Sequence, residues 1–331
     1  MEPKKQFSQI GLMMLFATIV INGMQYLAVY IAKGIPEIAR STDLLLLAGM
    51  LPCYFIGYPI ILFLFKKIPA QIEEEPKKMR FSHLIISFLM AYAIMYLSNL
   101  IGNFLVGLFE QIKEAPVENE LTRLLEEISP VTALIIAVIL APIFEELLFR
   151  KAVVDRTAKY GDGISMVFSG LVFGLFHGNF SQFAYAFFLG MFFAFIYLKT
   201  RNIMYPIILH ILVNFMGSSV PMYVMDNSKY MEYEAKLMEL MNSPGYTDEA
   251  ATALALEYAD GITMMFAYLL VMLITLIVGI VFLIRRRQKF VLTPGEITID
   301  KSERLCTVCL NPGMILFFLF WIAMIVKQIL K

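Results

Sequence analysis

Residues 131–150, VTALIIAVILAPIFEELLFR, decide how this chain folds. Nothing from Val131 to Phe144 is ionisable; Glu145, Glu146 and Arg150 then arrive inside a pattern that is still apolar. A helix needs about 20 apolar residues to cross a hydrocarbon layer of about 30 Å. The segment has that length, and it is one of about eight such runs, followed by a shorter ninth. Their centres lie near Val20, Gly57, Met95, Val138, Val172, Met191, Ile211, Met272 and Phe320. The expected fold is therefore all-α: a polytopic transmembrane helix bundle of about eight to nine membrane helices. The last run is short enough to be re-entrant or tilted.

Composition agrees. Of 331 residues, 59% are hydrophobic and 16% charged, where soluble domains hold about 45–50% and about 25%. That excess exceeds what a soluble core can hold, so lipid is the expected solvent and the cell membrane the expected location. Lys+Arg and Asp+Glu are equal at 27 each, and no basic tract is interleaved with aromatics, which argues against a nucleic-acid partner. Cys53, Cys306 and Cys309 are too few for a disulfide framework. After MEPKKQ, the first run is longer than a signal-peptide core and lacks a small-x-small cleavage site, so it reads as a retained membrane helix.

Basic residues set the orientation. With the N-terminus in the cytoplasm, 19 of the 27 Lys and Arg fall on the inner side, including Lys66–Arg80, Arg150–Lys159 and Arg285–Arg304. Two longer outer loops, around Glu110–Pro130 and Pro221–Gly261, are acidic and carry helix-like stretches at Glu118–Ile128 and Asp248–Tyr258. Phe290–Leu305 has a β-like or irregular pattern with a Pro294–Gly295 turn, suiting a small cytoplasmic appendage. Three regions follow: 1–129, N-terminal helices and loops; 130–222, a chemistry-bearing core; and 223–331, the acidic loop, C-terminal helices and appendage.

Ionisable groups inside a membrane helix are costly and mark function by default. Glu146 and Arg150 are four apart and share a helix face, whereas Glu145 is rotated about 100° away. Arg150 can neutralise Glu146 and leave Glu145 free for a cavity, where a desolvated carboxylate suits a general base. A structural Glu–Arg pair with Glu145 reaching for water is the competing reading. In Phe173-Gly-Leu-Phe-His177 the imidazole is either a satisfied core residue or a partner for Glu145. In His210-Ile-Leu-Val-Asn214 the i,i+4 spacing puts two hydrogen-bond donors on one face, as an oxyanion hole requires and as interhelical glue would also have. His83, at a basic boundary, is incidental. Two His and Glu resemble a zinc set, but HExxH is absent. Cys306-x-x-Cys309 has no second pair or nearby His to complete a metal site.

Glu145-Glu146-x-x-x-Arg150, Phe173-x-x-x-His177 and His210-x-x-x-Asn214, in that order and in neighbouring membrane helices, resemble the CPBP family: CAAX proteases and bacteriocin-processing (Abi) enzymes. The resemblance covers roughly Pro130 to Val220. It implies an intramembrane endopeptidase in which Glu145 and His177 activate water, His210 and Asn214 stabilise the oxyanion, and Glu146, Arg150 and Phe173 support the site. It further implies a protein or peptide substrate, membrane-bound or lipidated in the best-known members, with membrane lipid around it. Members are often labelled metalloproteases, yet a glutamate-activated water needs no metal, so no cofactor is expected and zinc is the alternative. A non-catalytic scaffold or bacteriocin self-immunity protein is the competing function. A proton-relay transporter ranks last, since no repeated pair of broken helices is visible. By depth along the helices, His177 falls nearer the outer half than Glu145 and His210; helix tilt, or a Tyr160–Gly163 link dipping into the protein, would bring the three together.

Overall fold

The computed structural model describes residues 2–70, 75–117, 123–124 and 127–330. Among the described residues, seven helices are long and apolar enough to cross a membrane: α1 (Pro3–Lys33), α2 (Thr42–Phe65), α3 (Phe81–Lys113), α4 (Pro130–Tyr160), α6 (Phe180–Thr200), α7 (Met204–Ser228) and α10 (Ala259–Arg285). Two shorter apolar helices, α5 (Asp162–Phe176) and α11 (Pro312–Leu330), occupy the runs near Val172 and Phe320. Counted by length, full spans are fewer than the eight expected, because α5 is held to 15 residues by Gly161 and Gly178 at its two ends. Both have positive φ (+98° and +61°), which an L side chain adopts only with strain. Among the described residues there is no strand, and 290–303 is irregular with one short 3₁₀ turn before it. Between α7 and α10 the chain forms α8 (Tyr230–Met241) and α9 (Asp248–Glu257), the latter matching the Asp248–Tyr258 expectation. Most of the helical stretch expected at Glu118–Ile128 lies outside the described residues.

Helix α6 is the hub. Two-thirds of its apolar window is buried (67%), against 11% for α10, whose Phe266, Leu270, Ile274 and Ile277 remain exposed as a lipid-facing side would. Close packing around α6 depends on small residues, as between membrane helices generally. A Cβ on Gly170 of α5 would come within 2.6 Å of the Phe187 carbonyl oxygen, and one on Gly102 of α3 within 2.8 Å of that of Ser181. Gly170→Val is therefore expected to cost about 1–3 kcal/mol of overpacking. The control Gly107→Val, at a position with nothing within 4 Å, should leave the melting temperature in detergent unchanged.

Three stretches of wide, π-type turn, Cys53–Gly57, Leu134–Leu140 and Phe215–Ser219, each end two residues before a proline: Pro59, Pro142 and Pro221. Proline lacks the N–H and its ring collides with the carbonyl four residues back. Widening the preceding turn relieves that collision without breaking the span, and such bulges are frequent at functional sites. A fourth stretch, Leu147–Val154, follows Glu146 directly.

The link from α4 to α5 is buried, not solvated. Tyr160 and Asp162 are nearly inaccessible. The Asp162 carboxylate takes hydrogen bonds from Lys199 Nζ (2.6 Å) and the Thr293 amide (2.8 Å), and Ile297 donates its amide to the Lys159 carbonyl (3.0 Å). Tyr160 donates its hydroxyl to Gln6 (2.9 Å), whose own amide reaches the Arg156 carbonyl (2.8 Å). The irregular 290–299 segment and the start of α1 thus cover this link.

Candidate active site

Glu145, Phe173, His177, His210 and Asn214 all line one cavity of about 600 Å³, formed between α3, α4, α6, α7 and the end of α5. The expected split between the two glutamates is observed. Glu146 is fully buried with its carboxylate 3.0 Å from Arg150 Nε, whereas the Glu145 side chain keeps 19% of its surface accessible. The Glu146–Arg150 contact is an ion pair without the angles of a hydrogen bond. Arg150 is itself completely buried; it reaches the Gly190 carbonyl (3.4 Å) and lies 4.6 Å from the Phe173 ring centre. Gly190 can offer that carbonyl because α6 has no side chain there to hold off α5: a Cβ would sit 3.0 Å from Gly170 Cα and from the Phe173 ring.

His210 is held between the two carboxylates. Its Nδ1 lies 2.9 Å from Glu146 Oε1, and its Nε2 lies 3.7 Å from Glu145 Oε2. A carboxylate paired with arginine can only accept, so the hydrogen on this edge belongs to Nδ1. At 3.7 Å Glu145 is beyond hydrogen-bond length, leaving its lone pairs uncommitted. His177 is fixed in the same sense: Nδ1 lies 2.9 Å from the Phe173 carbonyl, which cannot donate, so Nε2 keeps its lone pair. The hydrogen on each Nδ1 follows from the hydrogen-bond network. The Phe173 ring meets both imidazoles edge-on, at 4.7 Å from His177 and 5.7 Å from His210, and fixes their spacing.

Asn214 has a local cause that sequence reading missed. Ahead of Pro142, the Ala141 amide bonds back to Ile136, and the proline supplies no N–H for the next carbonyl, that of Ala137. Asn214 Nδ2 fills it at 2.8 Å across the α4–α7 contact. One amide hydrogen is thereby anchored and the other remains, which orients the side chain. A proline inside a membrane span was the available signal. Tyr92, Tyr96, Asn99, Asn103 and Tyr185, also on the cavity wall, belong to no motif and had none.

Other expected features fall elsewhere. His83 is exposed at the start of α3 and does not line the cavity. Cys306 is exposed and Cys309 partly buried, both as free thiols. Among the described residues, no group of three or more His, Cys, Asp and Glu has a metal site's arrangement.

Comparison with known proteins follows the same residues. The family model described as Type II CAAX prenyl endopeptidase Rce1-like matches residues 127–216, the segment containing all three motifs. A curated Bacillus subtilis protein named "Putative membrane peptidase YdiL" is 28% identical over 156 residues, which is 43% of this chain and 62% of that relative. No solved structure matches. With the motifs, their convergence on one cavity and these two likenesses in hand, the 127–216 segment of this chain is similar to the CAAX-protease (CPBP) family, and the chain spans less than two thirds of the curated relative it matches.

Proposed function

We propose that the chain is an intramembrane endopeptidase that hydrolyses peptide bonds in the cavity between α4, α5 and α7. The observation that carries this reading is the meeting of one uncommitted carboxylate, two imidazoles oriented through Nδ1 and one anchored amide in a single pocket. Water sits between Glu145 and the Nε2 lone pair of His177. Glu145 takes a proton as the water oxygen bonds to the scissile carbonyl carbon. The carbonyl oxygen, now negative, is received by the remaining Asn214 hydrogen and by His210 Nε2–H in its imidazolium form, whose counterion is Glu146. Glu145 then passes its proton to the departing amine as the C–N bond breaks. Glu145⁻, Glu146⁻, Arg150⁺ and His210⁺ sum to zero, a condition a dry site favours. Each preorganised oxyanion donor is worth about 10²–10³ in rate.

The mechanism routes no step through a metal. The test is reconstitution of the purified chain in vesicles with a set of transmembrane peptides, reading new termini by mass spectrometry. Wild type should generate them at a rate unaffected by 1,10-phenanthroline or EDTA. His210→Ala should lose the products while eluting as a folded protein. Cleavage abolished by chelator and restored by zinc would overturn the metal-free reading; unaltered cleavage by His210→Ala would overturn the site.

A further inference from the structure

Six helices line the cavity, and on four of them, α3, α5, α6 and α7, burial changes in the same direction. Along α3, Tyr92 is fully buried, Tyr96 partly so, and Asn99 and Asn103 are exposed. Along α7, His210 and Val213 are buried, Asn214 intermediate and Gly217 exposed. Phe173 is buried and His177, at the far end of α5, is half-buried; on α6, which runs the other way, Leu189 is buried and Ser181 is not. Every gradient points away from the face that carries the N-terminus, Arg150–Lys159, Arg201 and Arg285–Arg287, toward the face that carries α8 and α9. The short α5 agrees with that direction: this helix ends at Phe176, immediately before His177 on the cavity wall.

One stripe of the wall, on α3, is polar. Tyr92, Tyr96, Asn99 and Asn103 are spaced 4, 3 and 4 apart, so they share one face of α3. Asn99 and Asn103 make no hydrogen bond to any described residue, and the buried Tyr92 hydroxyl has no partner. Polar side chains on a membrane helix face the bundle interior or a wet cavity, because hydrocarbon leaves them unsatisfied. Four residues of helix rise about 6 Å, close to the two-residue repeat of about 6.6 Å in an extended chain. Asn99 and Asn103 are therefore spaced to meet successive main-chain groups on one edge of an extended peptide.

We infer that the substrate is a polypeptide entering from the face opposite the basic one, the extracytoplasmic face by the distribution of Lys and Arg, and lying extended along Asn99 and Asn103 with its scissile bond at Glu145. This rests on the proposed peptidase reading for its chemistry, but the side of access is a separate property with its own measurement. In a Cys53→Ala, Cys306→Ser, Cys309→Ser background expressed in intact bacterial cells, single cysteines at Asn103, Ser243 and Lys289 are challenged with a membrane-impermeant maleimide. Asn103→Cys and Ser243→Cys should label from outside, and Lys289→Cys only after the cells are opened. Asn103→Cys labelling with the Lys289→Cys pattern would overturn the inference, as would labelling of Lys289→Cys in intact cells. Ser218→Cys, on the opposite wall, is the second probe if Asn103→Cys fails to accumulate. For a cleaved transmembrane peptide, Asn99→Leu with Asn103→Leu should raise KM about tenfold or more with kcat nearly kept; a fall confined to kcat would overturn the track. Loss of cleavage by wild type would sink the peptidase reading while leaving the labelling result intact.

Discussion

Glu145→Gln leaves a folded, correctly inserted protein that cleaves its peptide about 10³-fold more slowly than wild type. The amide is the same size, keeps the cavity shape and cannot take a proton, so the loss isolates general-base catalysis, typically worth about 10²–10⁴. Glu145 is the one member of the cluster whose removal leaves no partner stranded. It lies 3.7 Å from His210, whereas Glu146 sits at 2.9 Å from the same ring and 3.0 Å from Arg150. Stability should therefore change little while kcat collapses. Rates measured under single-turnover conditions, alongside thermal melts in detergent, check both halves.

Arg150→Ala has the opposite profile and the largest expected effect on stability. It strands the carboxylate of Glu146 with no accessible surface, and breaking a buried pair from one side costs about 3–5 kcal/mol. It also removes the contact with the Gly190 carbonyl and the guanidinium against Phe173. The informative companion is Arg150→Met with Glu146→Gln. Replacing both charges is often neutral or stabilising, so the double variant should recover most of the lost melting temperature. It should not recover activity, because His210 then lacks the anion that supports its charged form. Recovery of both would reduce Glu146 and Arg150 to a structural pair; recovery of neither would point to Arg150 acting through packing alone.

Much of this site was legible in sequence, for reasons tied to particular residues. Helix periodicity separates adjacent Glu145 and Glu146 onto different faces, and i,i+4 spacing joins Glu146 to Arg150 and His210 to Asn214. These relations depend only on local geometry, and the structure keeps all of them. The depth of His177 was not legible. It depends on the Tyr160–Asp162 link being covered by Thr293 and Ile297, more than 130 residues later in the chain, and no local pattern reports such a contact. The hold of Ala137 on Asn214 was hidden for a similar reason: it arises from a hydrogen bond that Pro142 fails to make. The polar stripe of α3 went unread because each of its residues, taken alone, is ordinary in a membrane helix.

That Glu145 and His177 act as a unit on one water is the claim on which the rest stands, and a double-mutant cycle on the cleavage rate measures it. Groups that activate the same nucleophile are strongly non-additive: removing the second costs little once the first is gone. Glu145→Gln combined with His177→Ala should therefore be no more than about tenfold slower than Glu145→Gln alone. A double variant whose loss equals the product of the two single losses would mean that the carboxylate and the imidazole work independently, and would contradict the shared site.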